Sequence, residues 1–266
     1  TLRATNPDGS TISWDNSVID GVAFTPPVGT TSYRVEGDLS GCIATDDVLI
    51  TVHAKPVLVI TDPSAVCSPS TVDITLSGVT NGSTNEGVNT YYSNAGATVS
   101  EGSPSSVETG TYYIVTTTGD GCRDTSAVVV VVNPLPTFGI VKVDPTACGV
   151  NDGSLTVSGL LASSPYDVSY DGFTTSSFTT DLSGEILFDN LGAGNYSNFV
   201  ITTDPEGCSS TDPGVSLSDP SAPTVDAGNP QTVCFGEEIT LSAINPDGST
   251  ISWDKSVIDG VAFTPP

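Results

Sequence analysis

Apolar and polar residues alternate in short runs along most of the chain, and no stretch keeps the spacing of an amphipathic helix. Clusters of Asn, Asp, Gly and Pro interrupt these runs about every 8 to 12 residues. Such residues tolerate the backbone angles of tight turns, which strand-forming residues do not. The pattern predicts an all-β sandwich. The clearest predicted strands are residues 12–14, 48–52, 74–76, 112–115 and 155–157.

A long repeat connects the two ends of the sequence. Residues 1–27 return almost unchanged as residues 240–266, at a constant offset of 239. The three positions that differ are Arg3/Ser242, Thr5/Ile244 and Asn16/Lys255. Similarity at a fixed period is the signature of a tandem array. We therefore expect the chain to be a stretch of a longer protein that repeats this period.

The 239-residue period contains three units of one plan. Each unit has an opening cysteine before a strand, then an aromatic strand, a strand that begins with tyrosine, and a Gly-Cys turn. In sequence order, the opening cysteines are Cys67, Cys148 and Cys234, the tyrosines are Tyr33, Tyr112 and Tyr196, and the turn cysteines are Cys42, Cys122 and Cys208. The predicted domains are 1–55 (C-terminal part of unit A), 56–134 (unit B), 135–222 (unit C) and 223–266 (N-terminal part of the next unit A).

Proline marks each predicted boundary, at residues 53–56, 133–136 and 219–223. Proline fixes its own φ and restricts the preceding residue, so short links of this composition are stiff spacers. The sequence therefore predicts tandem β-sandwich domains arranged as an extended, beaded rod.

The six cysteines are predicted to form structural disulfides. The chain has no CxxC motif and one histidine, which favours disulfides in an oxidising compartment over the alternative, metal ligation. The plan predicts the pairs Cys67–Cys122 and Cys148–Cys208, because each joins the start of a sandwich to the last hairpin turn of the same unit. Cys42 and Cys234 are then expected to pair with residues outside 1–266.

The charge of the chain restricts its partners. The formal net charge is -25, from 6 Lys+Arg against 31 Asp+Glu. Nucleic acid is excluded as a partner because too few basic side chains are present to neutralise phosphates. An anionic membrane surface is disfavoured for the same reason. No apolar run approaches the ~18 residues that a membrane span needs, so we expect no membrane insertion.

Catalytic residues are not predicted. His53 is the one histidine and lies at the end of a strand next to a linker, where a surface or junction role is far more common than membership of a catalytic triad. The adjacent pairs Asp46-Asp47 and Glu237-Glu238 would point to opposite faces of a strand, so they would not act together as acid and base. The expectation is a protein that is not an enzyme and has no cofactor.

Calcium and sugar rings are the two ligands left open. Carboxylates near turns and junctions are hard-oxygen ligands for calcium, although ordinary turn roles are the competing interpretation. The calcium candidates are Asp46, Asp47, Asp120, Asp124, Asp204, Glu206 and Asp212. Trp14, Trp253 and Tyr170 are able to stack on sugars, but one aromatic residue on a central strand more often packs in the core.

Two sets of residues carry a resemblance to a known family. In unit C they are 147–149, 152–157, Pro165-Tyr166, Leu191, 194–196 and Gly207-Cys208, and in units A and B they are residues 28–33 and the link 133–136. Through these residues the chain resembles the repeat region of very large SprB-type surface adhesins from gliding bacteria of the Bacteroidetes group. Unit C is similar to the short SprB repeat, and it departs from that repeat at Tyr170, where Trp is common, and in the insert 174–185. Units A and B resemble the Ig-like repeats found beside it.

The resemblance implies Ig-like sandwiches, export by the type IX system and display at the cell surface, attached to the outer membrane. Two functions follow as hypotheses. The first is a structural repeat of an adhesin or extracellular filament used in gliding motility and surface attachment, with neighbouring repeats and a surface polysaccharide or the substratum as partners. The alternative is a set of carbohydrate-binding or spacer modules of a secreted polysaccharide-processing enzyme.

Overall fold

The computed structural model describes residues 1–266 and confirms the all-β prediction. It contains no helix with the length and apolar character needed to cross a membrane. The strands are β1 Thr11–Trp14, β2 Gly29–Leu39, β3 Cys42–Val52, β4 Val66–Cys67, β5 Val88–Tyr92, β6 Gly110–Thr117, β7 Arg123–Val130, β8 Val132–Asn133, β9 Gly139–Val143, β10 Gly153–Ser158, β11 Pro165–Tyr170, β12 Phe173–Thr179, β13 Ile186–Leu191, β14 Gly194–Thr203, β15 Ser209–Leu217, β16 Ile239–Thr240 and β17 Ala262–Phe263.

The chain forms two compact bodies, Thr1–Pro134 and Leu135–Pro266. The second body contains unit C, whose seven strands form two antiparallel sheets. One sheet has the strand order β13-β10-β9, and the other has the order β12-β11-β14-β15. Two facing antiparallel sheets of three and four strands are the architecture of an Ig-like β-sandwich.

Alternation along the strands of unit C builds its core. On β10 the exposure alternates strictly, with Leu155 and Val157 fully buried and the residues between them facing outward. Strand β14 contributes Phe199 and Ile201 from the opposite sheet, both also fully buried. Side chains at every second position of a strand share one face, so each sheet presents one apolar face to the other. The remaining buried members of this core are Leu160, Tyr166, Val168, Ile186, Phe188 and Leu217.

Unit B is a second, smaller sandwich in the first body. Strands β5, β6 and β7 form an antiparallel sheet, and β4 pairs in parallel with β8. Two isolated bridges, Val57 to Thr84 and Val72 to Val107, complete the opposite layer. The buried residues between the layers are Leu58, Val72, Ile74, Val79, Val107, Ile114, Val128 and Val130.

The predicted strand at residues 74–76 is wrong. Ile74 is buried as expected for a core residue, but a turn follows it in place of a strand. The carboxylate of Asp73 accepts hydrogen bonds from the backbone N–H of Thr75 at 2.8 Å and from its hydroxyl at 2.6 Å. An aspartate that accepts a hydrogen bond from the backbone N–H two residues ahead stabilises a turn, and that N–H is then not available for strand pairing.

Residues 1–55 form one antiparallel sheet with the order β1-β2-β3. Strands β2 and β3 pair in register from Gly29–Val52 to Leu39–Cys42. Their two-residue connection, Ser40-Gly41, has φ angles of 53° and 88°. Two positive φ values are the requirement of a type I′ hairpin turn, and glycine meets this requirement without strain.

The repeated 27 residues differ in strand content between their two positions. Thr11–Trp14 form β1 because β2 pairs with them, with Trp14 opposite Val35. The equivalent residues 250–253 are not a strand, and no strand of residues 223–266 pairs with them. The turns are the same in both copies: Asn16 and Ser17 have φ of 50° and 60°, and Lys255 and Ser256 have 52° and 61°. Local sequence therefore fixes the turns, and a partner is needed for the strand.

A tyrosine near the start of the first strand of the last hairpin closes a corner in units B and C. The hydroxyl of Tyr112 donates to the carbonyl of Glu108 at 3.1 Å, and that of Tyr196 donates to the carbonyl of Gly192 at 3.0 Å. Each bond spans four residues, as in the tyrosine corner of Ig-like sandwiches. Gly110 lies under the ring of Tyr112, where an added Cβ would stand 3.3 Å from the ring.

We predict that Tyr112→Phe and Tyr196→Phe each lower the free energy of unfolding by about 1 kcal/mol, because each loses one hydrogen bond to a backbone carbonyl. Tyr92→Phe on β5 is the matched control and should change stability less. Urea denaturation of the three variants measures this. Equal effects of all three substitutions would contradict a corner that depends on the tyrosine hydroxyl.

Candidate functional site

The acidic residues considered for calcium bind groups of the protein itself. Asp47 forms a two-point ion pair with Arg34 at 3.0 Å, and these hydrogen bonds hold the pKa of Asp47 below its usual value. Asp120 pairs with the Nδ1 of His53 at 2.9 Å. Asp212 accepts the backbone N–H of Gly214 at 2.8 Å. The structure has no group of three or more His, Cys, Asp or Glu side chains arranged to hold a metal ion.

The remaining calcium candidates, Asp46, Asp204 and Glu206, do not form part of a metal-binding group. Asp46 is exposed on β3 and accepts the N–H of Asp47 at 2.9 Å. Asp204 and Glu206 lie in the exposed turn between β14 and β15. The sequence did not indicate how many acidic side chains accept hydrogen bonds from the backbone N–H groups of turns. Asp8, Asp38 and Asp181 also accept backbone N–H groups of the turns in which they lie.

The linker between residues 1–52 and unit B is fixed to the body of unit B. Pro56 is fully buried. The carboxylate of Asp124, on β7, accepts the N–H of Leu58 at 2.9 Å and lies 3.5 Å from the ammonium of Lys55. The Leu58 N–H is the main cause that lowers the pKa of Asp124, and Lys55 adds to it. The side-chain amide of Asn85 donates to the carbonyl of Ala54 at 2.6 Å.

The end of unit C is held in a similar way. Lys142, on β9, donates to the carbonyl of Ser216 at 2.8 Å and pairs with Asp144 at 3.0 Å. The carboxylate of Asp144 accepts the N–H of Ser218 at 2.9 Å, which is the main cause of its lowered pKa. The last strand of the unit is thus bound to the first at the point where the chain leaves the sandwich.

Each unit has two ends, which differ in their cysteines. The entry end is the end at which the preceding linker arrives, and the exit end is the end from which the following linker departs. In unit B, the Sγ of Cys122 lies 4.0 Å from the carbonyl of His53 in the preceding linker, so Cys122 marks the entry end. Cys67 pairs with Asn133 on β8, just before the following linker, so it marks the exit end.

Unit C has the same arrangement. Cys208 follows the turn between β14 and β15, and this turn bonds to the start of β11 through the Asp204 N–H and the Pro165 carbonyl. Cys148 lies at the exit end, where its Sγ is 3.6 Å from the carbonyl of Pro220.

The predicted disulfides Cys67–Cys122 and Cys148–Cys208 are wrong. Cys122 and Cys148 are free thiols, whereas Cys67 and Cys208 are each disulfide-bonded. A disulfide needs Cα atoms within about 7 Å, but the eight residues of β7 separate the two ends of unit B by about 26 Å. The nine residues of β15 separate the ends of unit C by about 30 Å. Cys42 and Cys234 are also free thiols here, and their pairing with residues outside 1–266 stays a prediction.

Tyr170 packs against the core of unit C, whereas Trp14 and Trp253 are half-buried and form hydrogen bonds with nearby aspartates. Tyr170 stacks on the fully buried Phe199 with ring centroids 4.7 Å apart, and on Phe173 at 4.8 Å. Burial raises the pKa of Tyr170. The indole N–H of Trp14 donates to Asp20 at 3.0 Å, and that of Trp253 donates to Asp259 at 2.8 Å. The interpretation of Tyr170 as a core residue is therefore confirmed.

Comparison with known proteins gives similarity at the level of solved structures. No protein-family model and no curated protein matches the chain. The eight N-terminal Ig domains of Down Syndrome Cell Adhesion Molecule are 16% identical with a TM-score of 0.41, covering 77% of this chain and 37% of that one. Drosophila OTK extracellular domains 3-5 are 14% identical with a TM-score of 0.37, covering 71% of each chain.

Sidekick-1 immunoglobulin domains 1-5 are 15% identical with a TM-score of 0.25, covering 79% of this chain and 52% of that one. The chain thus spans about a third of the first of these structures and half of the third. Similarity this low carries no argument about function, and the fold assignment rests on the strand order of units B and C.

We predict that Asp124→Ala lowers the free energy of unfolding of unit B by about 1 to 2 kcal/mol at pH 7, because the Leu58 N–H loses a charged acceptor. The pKa of Asp124 is lowered in the folded state, so its contribution is present above the unfolded pKa of about 3.9 and is lost as the pH falls below that value. The difference between wild type and variant should therefore shrink below about pH 4.

Asp120→Ala is the matched control, since Asp120 is half exposed in its ion pair with His53 and should contribute less. Thermal unfolding between pH 3 and pH 7 measures both variants. A pH-independent loss in Asp124→Ala, or an equal loss in Asp120→Ala, would contradict the role assigned to Asp124.

Proposed function

We propose that residues 1–266 are a structural tandem-repeat segment of a large cell-surface adhesin of the SprB type, used in gliding motility and surface attachment. The observation that carries this proposal is the 27-residue repeat at an offset of 239. An enzyme needs one active site in which specific catalytic residues are brought together. A filament instead gains length from copies of the same domain.

The two copies of the 27-residue repeat share hydrogen bonds as well as sequence. In the first copy, Gly21 donates its N–H to the carbonyl of Leu2 at 2.8 Å, and in the second Gly260 donates to Leu241 at 2.8 Å. The aspartate that accepts the indole N–H also accepts a backbone N–H in both copies, from Ala4 at 2.7 Å and Ala243 at 2.8 Å. Such duplication supports a part that is used many times along one chain.

The fixed linkers support a role as a spacer. Residues 53–58 are bound to unit B by Asp120, Asp124 and Asn85. At the end of unit C, Lys142 binds the carbonyl of Ser216 and Asp144 binds the N–H of Ser218. A linker that is hydrogen-bonded to a neighbouring folded unit has less freedom than a Gly/Ser linker. Filament segments that hold an adhesive tip away from a cell need this property.

The location and the partners are part of the same proposal. The disulfide-bonded state of Cys67 and Cys208 is typical of extracellular proteins, and the resemblance to SprB-type adhesins suggests type IX export and attachment to the outer membrane. The net charge of -25 repels neighbouring filaments at low ionic strength. The partners we propose are neighbouring repeats and a surface polysaccharide or the substratum.

We predict that an antibody raised against unit B labels intact cells of the source organism before any permeabilisation. Beads coated with this antibody should travel along gliding cells, and in-frame deletion of the repeat array should reduce attachment to glass and gliding speed several-fold. Fluorescence microscopy of living cells measures the surface labelling, the bead movement, the attachment and the gliding speed. Labelling that requires lysis, or unchanged motility after deletion, would contradict the proposal.

A polysaccharide-degradation assay on the same deletion strain distinguishes the adhesin proposal from the alternative function. The adhesin proposal expects degradation to stay unchanged. Loss of degradation with normal gliding would instead indicate carbohydrate-binding or spacer modules of a secreted enzyme, and a glycan array with the purified chain would then identify the sugar.

A further inference from the structure

The β1-β2-β3 sheet is open along its last strand. Strand β3 has β2 on one side and no strand on the other. Val48 lies opposite the buried Tyr33, on the face of the sheet that packs inward, yet its side chain is 36% exposed. In unit B, Val128 lies opposite Tyr112 in the same register and is fully buried. The last hairpin of residues 1–55 thus has an apolar face that is only partly covered.

Unit B shows what covers this position. Its opening segment is residues 56–68, and Leu58 of this segment belongs to the same buried cluster as Val128. At the end of the segment, β4 pairs in parallel with β8, and the N–H of Ser68 donates to the carbonyl of Asn133 at 2.9 Å. The segment that opens unit B therefore covers its last strand and binds the edge of that strand.

The second copy of the 27-residue repeat is bound by an opening segment of its own, residues 223–239. Asp226 and Ile244 exchange two backbone hydrogen bonds, at 3.1 Å and 2.9 Å. The N–H of Thr224 donates to the carboxylate of Asp247 at 2.7 Å. Ile244 and Asp247 belong to the repeat, so the repeated residues contain binding positions for such a segment.

The first copy contains the same acceptor. Asp8 occupies the position of Asp247 and accepts the N–H of Ser10 at 3.2 Å. This bond is the main cause that lowers the pKa of Asp8, whereas the bond from Thr224 is the main cause that lowers the pKa of Asp247. A residue equivalent to Thr224 would lie before Thr1, at the offset of 239.

We propose that the open edge of β3 binds a further copy of the segment 223–239, which precedes Thr1 in the tandem array. One end of this segment donates to Asp8, and the other end pairs in parallel with Val52 and His53. These two residues follow Cys42 at the distance at which β8 follows the turn cysteine of unit B. The proposal rests on the tandem array of the proposed function and is independent of its adhesive role.

The side chains of the segment suit this face. Val225, Val233 and Phe235 are exposed in the copy at 223–239, and Phe235 is fully exposed. The burial of apolar side chains against Val48 is favourable. An extended segment that adds to a sheet edge also gains main-chain hydrogen bonds, while its alternate side chains provide specificity. The edge of β3 would then no longer be free to pair with other chains.

The test compares the chain with the same chain extended before Thr1 by a copy of residues 223–239. Trp253→Phe in both proteins leaves Trp14 as the one tryptophan, so its fluorescence reports on the β1-β2-β3 sheet. The extension should move the urea midpoint at Trp14 to a higher concentration. It should also slow amide exchange along β3 by about tenfold or more. An unchanged midpoint with unchanged exchange would overturn the proposal.

Substitutions on β3 show which face the segment covers. In the extended chain, Val48→Thr should lose most of the midpoint shift that the extension causes. Leu49→Thr is the matched control, because Leu49 lies on the opposite face of β3 and should keep the shift. Equal losses in the two variants would contradict a segment bound over Val48.

A substitution in the added segment gives a readout that does not depend on the folding of a β3 variant. Val233→Asp in the extension alone should abolish the midpoint shift and return the exchange of β3 to the rate of the unextended chain. A shift that survives this substitution would mean that the extension stabilises the sheet without the proposed contact, and the proposal would be wrong.

A second copy of the whole chain is the competing occupant of the edge. Analytical ultracentrifugation of both proteins separates the two cases. The proposal expects any association of the unextended chain to disappear on extension. Association that persists equally in the extended chain, and that Val48→Thr removes, would assign the edge to a second copy and overturn the proposal. None of these measurements depends on gliding or attachment, so failure here is distinct from failure of the adhesin proposal.

Discussion

Each unit depends on the long antiparallel hairpin that it closes with a Gly-Cys turn. The hairpins are β2–β3, β6–β7 and β14–β15, and each pairs continuously except for a shift near Asn198 in the third. In units B and C the tyrosine corner ties the start of the hairpin to the preceding loop. The hairpin supplies three of the eight buried core residues of unit B, which are Ile114, Val128 and Val130.

The same hairpin determines where the chain enters and leaves a unit. Its turn lies at the entry end, where Asp120 and Asp124 bind the preceding linker. Its second strand runs to the exit end, where the chain departs toward the next unit. A sandwich whose strands run from one end to the other therefore places successive linkers at opposite ends, and it places its two cysteines there as well.

Much of the fold could be predicted from the sequence because strand alternation and turn residues are local signals. The strands at 12–14, 48–52, 112–115 and 155–157 lie within β1, β3, β6 and β10. The strand at 74–76 failed because an Asp73 side chain competes for the backbone, which an alternating pattern does not reveal. The prediction of the disulfides failed for a geometric reason. The repeat shows that two cysteines belong to one unit, but it does not show that they lie at opposite ends of that unit. The turn-capping role of the acids needed atomic positions.

The central claim is that the hairpin turn of unit B holds the linker before it as part of the folded unit. Amide hydrogen exchange at single-residue resolution tests this most directly. If the claim holds, the amides of Val57 and Leu58, which donate to Thr84 and Asp124, exchange as slowly as those of β6 and β7. Exchange of residues 57 and 58 at the rate of an unstructured peptide, with β6 and β7 still protected, would contradict it.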